Sequence, residues 1–415
     1  MSGGGTAGVL SRAALTTGGM AAQGIARLLY TIVIAHLAGA GAVGDTSALL
    51  SVMVYLSLML PAGLGIGASR YLPLGDFSAV AIGVLNRWFW VSSIVLALVA
   101  APIAFLLTKD PGAAISCAIL TWSYNAYVYT RGVLMGEDRI LRSLIADVGS
   151  SLLAITALVA VLLAGAHWAL LLPLAVGYAV FAFFARPRTE ALPSTPEQRA
   201  VLARFVRDAT IGALATGGLL PATMVFVRAF DTPLQADLFA AALSLATPAN
   251  MISQALNQVL IPHFAKLHLD PAVMRQSHRR LMLATTAAFL VIFAAIIALS
   301  PFILSIFYPQ KFVDGAGAMQ ALLVVVFFIS ATCASAAYLV SAGRQKAFAM
   351  IWLVALVAGT AVMAVFSPLY GMWGALLGFA VGGVGGSVAV VVTAFLTTAP
   401  APISPVLTPL EREEP

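Results

Sequence analysis

The chain has 415 residues, of which 61% are hydrophobic and only 9% charged, whereas soluble globular chains carry roughly a quarter of charged residues. This excludes a soluble domain, a disordered chain and a disulfide scaffold, the last because Cys117 and Cys333 each lie inside an apolar run. A net charge of +6 would suit nucleic acid in a soluble protein. Here the basic residues sit in short loops between apolar segments, so no nucleic-acid partner is expected.

A bilayer core about 30 Å thick needs about 20 apolar residues per helix. Twelve such runs are predicted, at 14–37, 46–69, 84–107, 112–135, 144–164, 167–185, 205–229, 236–261, 281–307, 316–341, 347–367 and 371–396. An all-α integral membrane protein follows. The continuous runs exclude an outer-membrane barrel, whose strands are about ten alternating residues long. The N-terminus, Met1 to Gly8, is small and uncharged, and no cleaved signal peptide is expected.

In chain order, the first predicted helix carries Arg27 near its middle, where a cation costs about 2.5–3.5 kcal/mol on insertion scales. Gln23, Arg27 and Thr31 recur every four residues and so share one face, with Tyr30 beside them. Arg27 either awaits an anionic group such as a phosphate, which its fork of donors suits, or is satisfied by helix carbonyls or by Asp147. The second helix offers Ser47, Ser51 and Tyr55, then the glycine- and proline-rich PAGLGIGAS (61–69). The fourth offers Thr121 and Asn125. These polar residues either face a cavity or bind helices together.

The longest polar segment, RPRTEALPSTPEQRAVLAR (186–204), reads as a flexible cytoplasmic connector between two six-helix bundles, 1–185 and 205–396, with a cytoplasmic tail at 397–415. In the second bundle TGGLLPAT (216–223) matches the position of PAGLGIGAS, and Arg228 is expected to pair with Asp231 or Asp237. The eighth helix carries Asn250, Gln254, Asn257 and Gln258, amides that could meet sugar hydroxyls or neighbouring helices. His263, His268 and His278 are expected to be solvated in a loop.

Weak internal similarity links the halves: SRYLPLGD (69–76) with PHFAKLHLD (262–270), and GEDR (136–139) with GRQK (343–346). Six helices per half gives both halves the same topology, with a substrate site expected between them. The positive-inside rule counts 18 Lys and Arg on one side against Lys109, Arg228 and Lys311 on the other. Both termini are therefore expected to be cytoplasmic.

No paired carboxylates, metal-ligand cluster, nucleophile elbow or phosphate loop is evident, and the predicted outer loops are short. Transport is expected, not enzyme activity, with no catalytic residue, metal or cofactor.

Two segments, GIARLLYTIVIAHLAGAGAVGDTSALLSVMVYLSLMLPAGLGIGASRYLP (24–73) and FILSIFYPQKFVDGAGAMQALLVVVFFISATCASAAYLVSAGRQKAFA (302–349), together with RGVLMGEDRI (131–140), resemble polysaccharide flippases of O-antigen type. These belong to the multidrug/oligosaccharidyl-lipid/polysaccharide exporter superfamily. The resemblance implies twelve helices in two six-helix bundles around a central cationic cavity that opens alternately to each side of a bacterial inner membrane. It implies a polyprenyl-diphosphate-linked sugar as substrate, and the bilayer and a polysaccharide polymerase or ligase as partners. Arg27 fits the role of meeting the diphosphate. The candidate cavity residues are thus Arg27, Gln23, Thr31, Tyr55, Asn125, Asn250, Gln254 and Asn257, and the coupling ion, proton or sodium, stays open.

The alternatives are a cation-coupled multidrug exporter of the same superfamily, a major-facilitator transporter and a noncatalytic scaffold of a polysaccharide-synthesis complex. The exporter generally relies on membrane-embedded carboxylates, and here only Asp147 and Asp208 come near, both at predicted cytoplasmic ends.

Overall fold

The structure, a computed structural model, describes residues 6–39, 41–74, 77–186, 188–267 and 270–397. Among the described residues there are sixteen α-helices, two 3-10 turns and no strand. The expected cytoplasmic tail beyond Thr397 lies outside them.

The first half runs α1 (Thr6–Leu37), α2 (Ala42–Met59), α3 (Pro61–Tyr71), α4 (Phe77–Thr108), α5 (Pro111–Gly136), α6 (Ile140–Leu163) and α7 (Leu172–Phe184). The expected helix at 46–69 is two helices. The chain breaks at Leu60, because Pro61 has no N–H to donate to the preceding turn and instead takes the first position of α3. α5 starts where Asp110 caps it, accepting a hydrogen bond from the Gly112 N–H at 2.8 Å.

The second half runs α8 (Pro196–Gly217), α9 (Leu219–Phe230), α10 (Pro233–Lys266), α11 (Pro271–Ala298), α12 (Ser300–Phe307), α13 (Ala316–Ala331), α14 (Cys333–Ser341), α15 (Gln345–Tyr370) and α16 (Met372–Leu396). The glycine pair at 217–218 bends α8 from α9 by 56°.

Among the described residues eight helical runs are long and apolar enough to cross a membrane, or nine if the bent α8–α9 pair is one crossing. The twelve expected crossings are therefore not all reached on length and apolarity. α5 is long enough but too polar, with Ser116, Thr121, Ser123 and Asn125 along it. The described apolar part of α1, Ala21–Leu37, is short, and α10 is described only in part.

The outer faces of the long helices are apolar and open, with Leu98 69% and Val291 71% exposed. A soluble monomer does not leave such continuous apolar flanks to water, and hydrocarbon satisfies them. Inside, small residues let backbones meet: a Cβ on Gly359 of α15 would stand 2.8 Å from the Gly378 carbonyl oxygen of α16.

The connector is not loose along its length. From Pro196 onward it is helix, started by a capping box between Thr195 and Gln198. Before that it is strapped to the first half: the Leu192 N–H donates to the Ala79 carbonyl at 2.9 Å. Glu137, between α5 and α6, accepts from the N–H groups of Arg188 at 2.7 Å and Thr189 at 3.2 Å, and from Arg139 at 2.6 Å. Burial opposes ionisation of Glu137, but Arg139 and the two backbone donors outweigh it and hold its carboxyl below the ordinary range.

Candidate functional site

α1 presents Gln23, Arg27 and Thr31 to a cavity of about 650 Å³. The cavity's other walls are α2 and α3 (Ser47, Ser51, Val54, Gly65, Ser69), α5 (Tyr124, Tyr127, Arg131) and, from the second half, Leu220 and Pro221 of α9 with Ala240, Leu243, Ser244 and Thr247 of α10. It thus lies between the halves, walled by helices of both. Among the described residues its charged lining is Arg27 and Arg131.

Arg27 is held by neutral aromatic groups. Its Nε donates to the Tyr178 hydroxyl at 3.0 Å, and its guanidinium carbon lies 4.9 Å from the ring centre of Tyr124 and 5.9 Å from that of Tyr178. Ring faces carry negative quadrupole density, so this cage steadies the cation without neutralising it. Neither sequence expectation for a structural Arg27 fits, since its partners are tyrosines and not helix carbonyls or Asp147. Thr31 turns its hydroxyl back to the Arg27 carbonyl at 2.9 Å.

Arg131 is held differently. Its Nε lies 3.4 Å from Asp147 Oδ2, and Asp147 is fully buried on α6. Asp147 also accepts from the Tyr127 hydroxyl at 3.0 Å and from Gln23 Nε2 at 3.4 Å, while Gln23 further donates to the Asp147 carbonyl and to Ser150 Oγ, each at 3.2 Å. The sequence placed Asp147 near a helix end. The structure puts it behind the cavity wall because α6 lies against α1 and turns this position inward.

The remaining candidates scatter. Asn125 does not line the cavity: Tyr124, Tyr127 and Arg131 occupy the cavity face of α5, and Asn125, rotated off it, is fully buried with neither amide atom hydrogen-bonded among the described residues. Tyr55 is half-buried beside Gly218 at the α8–α9 bend, off the cavity, because Ser51, Val54 and Leu58 hold that face of α2. Asn257 is half-buried, its Oδ1 is enclosed with no hydrogen-bond partner among the described residues, and it is not part of the described lining. The side chains of Asn250, Gln254 and Gln258 lie outside the described residues.

Beyond the cavity, at the end opposite the connector, the two halves lock together. Gly41 takes a φ of 86°, which favours glycine, and starts α2. The freed N–H groups of Gly41 and Gly44 both donate to the Asp237 carboxylate of α10, at 2.7 Å each. The positive N-terminus of α2 thus receives an anion from the other half. Gly44 is needed here: a Cβ would stand 2.9 Å from Ala236.

Arg228 forms its ion pair with Asp45 of α2, not with Asp231 or Asp237 as the sequence suggested. Asp231 accepts instead from the Met372 N–H at 2.6 Å. Local spacing favoured the near carboxylates, but each of these is taken by backbone N–H groups at a helix start.

His278 also departs from expectation. Because α11 begins at Pro271, it lies two turns inside the helix, buried, stacked on Tyr338 at 4.5 Å and 3.0 Å from Ser335 Oγ. His263 is exposed and meets Ser277. His268 lies outside the described residues.

Sequence reasoning missed the tyrosine cage and Arg131. Tyr124, Tyr127 and Arg131, three then four residues apart, carried a helical-face signal. Tyr178 carried none, since only packing brings α7 to α1.

No family model and no curated protein sequence matches the chain. Solved structures do. An inward-facing multidrug-resistance transporter of the MATE family of the MOP superfamily aligns with a TM-score of 0.73 and 14% identity over 90% of this chain and 94% of that one. Lipid II flippase MurJ in an inward closed conformation gives 0.72 and 11% over 90% and 86%. An outward-facing MATE transporter of the same superfamily gives 0.61 and 12% over 93% and 94%. The chain has the fold of MATE and MOP-superfamily membrane transporters.

Proposed function

We propose that this protein carries lipid-linked sugars across the bacterial inner membrane, from the cytoplasmic to the outer leaflet, by alternating access of the cavity between its halves. The observation that carries this reading is Arg27, a cation inside a membrane cavity whose only partners among the described residues are tyrosines. A half-buried cation facing a membrane cavity without a carboxylate favours an anionic guest, and a guanidinium suits phosphate oxygens. Polyprenyl-diphosphate-linked sugars are the class named by the sequence resemblance.

The lock formed by Asp237, Gly41 and Gly44, with Arg228 and Asp45, closes the arginine-poor end, which the positive-inside count assigns to the outer face. The form described is therefore one closed to the outside. A polymerase or ligase would take the delivered product.

An exporter of cationic drugs is disfavoured by the same cavity, since Arg27 repels a cationic guest in a low-dielectric site. The test is reconstitution in liposomes with a polyprenyl-linked sugar. Appearance of the sugar at the opposite leaflet is expected for the parent, and a loss of about tenfold or more for Arg27→Ala, the effect of losing one charged hydrogen-bond donor. Parent protein that is folded yet moves no such lipid refutes the reading.

A further inference from the structure

Resting on the flippase reading, we infer that the preferred guest bears a single phosphodiester charge, a polyprenyl-monophosphate-linked sugar, and not the doubly charged diphosphate.

The inference comes from counting charge in the cavity. Among the described residues the lining holds two cations, Arg27 and Arg131. Arg131 is matched by Asp147 at 3.4 Å, whereas among the described residues Arg27 has only tyrosine partners. One positive charge is left for the guest.

Geometry agrees with this count. The Nε edge of Arg27 is taken by Tyr178, which leaves the edge made by its two terminal nitrogens. That edge fits two oxygens of one phosphate. A second phosphate would have to draw on Arg131. Pulling Arg131 away strands the carboxylate of Asp147, which is fully buried, and breaking a buried pair in this way is strongly unfavourable. Tyr127 and Gln23, which donate to the same carboxylate, are neutral and cannot replace the lost charge. The hydroxyls of Ser47, Ser51 and Ser244 add only neutral partners, suited to sugar hydroxyls.

The experiment uses the full chain in liposomes and two probe lipids with the same polyprenyl tail and the same hexose, one linked by a monophosphate and one by a diphosphate. The rate at which the hexose becomes accessible across the bilayer is read for each. The expected result is faster movement of the monophosphate lipid by about tenfold or more, equivalent to about 1.4 kcal/mol. Asp147→Asn, which removes the charge that neutralises Arg131, is expected to raise the diphosphate rate relative to the monophosphate rate. A purely structural role for Asp147 would lower both rates together.

Equal rates, or a preference for the diphosphate, in the parent overturn the inference and leave the flippase reading standing. Movement of neither lipid by folded protein overturns both.

Discussion

The closed end makes the strongest quantitative prediction. Asp237 of α10 accepts two backbone hydrogen bonds of 2.7 Å from Gly41 and Gly44, and these cross between the halves. Asp237→Ala removes both. A hydrogen bond to a charged group contributes about 1.5–3 kcal/mol net. When this end opens, water solvates both partners, so the lower figure applies to each bond. Two bonds give about 3 kcal/mol, or roughly a hundredfold change in the balance between closed and open forms.

The assay is labelling of a cysteine at Ala240, just inside the lock and 1% exposed, by an impermeant thiol reagent added from the outer side. The native Cys117 and Cys333 are buried and give a low background. If the closed form dominates in the parent, labelling in Asp237→Ala rises by up to the same hundredfold. Asp237→Asn, which keeps one acceptor oxygen, turns the other into an NH2 donor and loses the charge, should lie between. A labelling rate within about twofold of the parent, the size of an ordinary surface substitution, refutes the idea that these bonds hold the end shut.

Arg27→Lys keeps the charge but loses the planar fork and its stacking on Tyr124, and should cut lipid movement by about tenfold in the liposome assay. Gly63→Ala would place a Cβ 2.9 Å from the Val206 carbonyl oxygen and 3.0 Å from the Thr210 nitrogen, forcing α3 from α8; overpacking of this kind costs about 1–3 kcal/mol and should lower the Tm in detergent. Glu137 is held below the ordinary carboxylate range, so the strap it anchors is stabilised above that range and weakens as the pH falls through its lowered value. Protease cleavage within 188–195 should therefore accelerate only on the acid side, below the ordinary carboxylate range, and Glu137→Gln should show fast cleavage at neutral pH as well.

The sequence by itself determined the solvent. A chain with 9% charged residues and repeated runs of about twenty apolar ones has to expose those runs to hydrocarbon, whatever its fold. It also determined that Arg27, Gln23 and Thr31 share one helix face, because 3.6 residues per turn is a local property. The glycine- and proline-rich runs at 61–69 and 216–223 stood out, yet each lay inside a predicted unbroken helix, and only the structure breaks the chain at Pro61 and at the 217–218 glycine pair.

Tertiary structure alone decided what each polar group meets. Arg228 lies within a few residues of two carboxylates, yet pairs with Asp45, which is 183 residues away. Asp147 looked like a residue near a helix end and His278 like a solvated loop residue, and packing of α6 against α1 and of α11 against α14 buried both. Asn125 carried the composition of a cavity residue and missed the cavity by the rotation of one helix. Helix periodicity fixes which side chains go together on a face, but the angle that aims the face is set by neighbouring helices far away in sequence. The partner of a buried charge is chosen at that step.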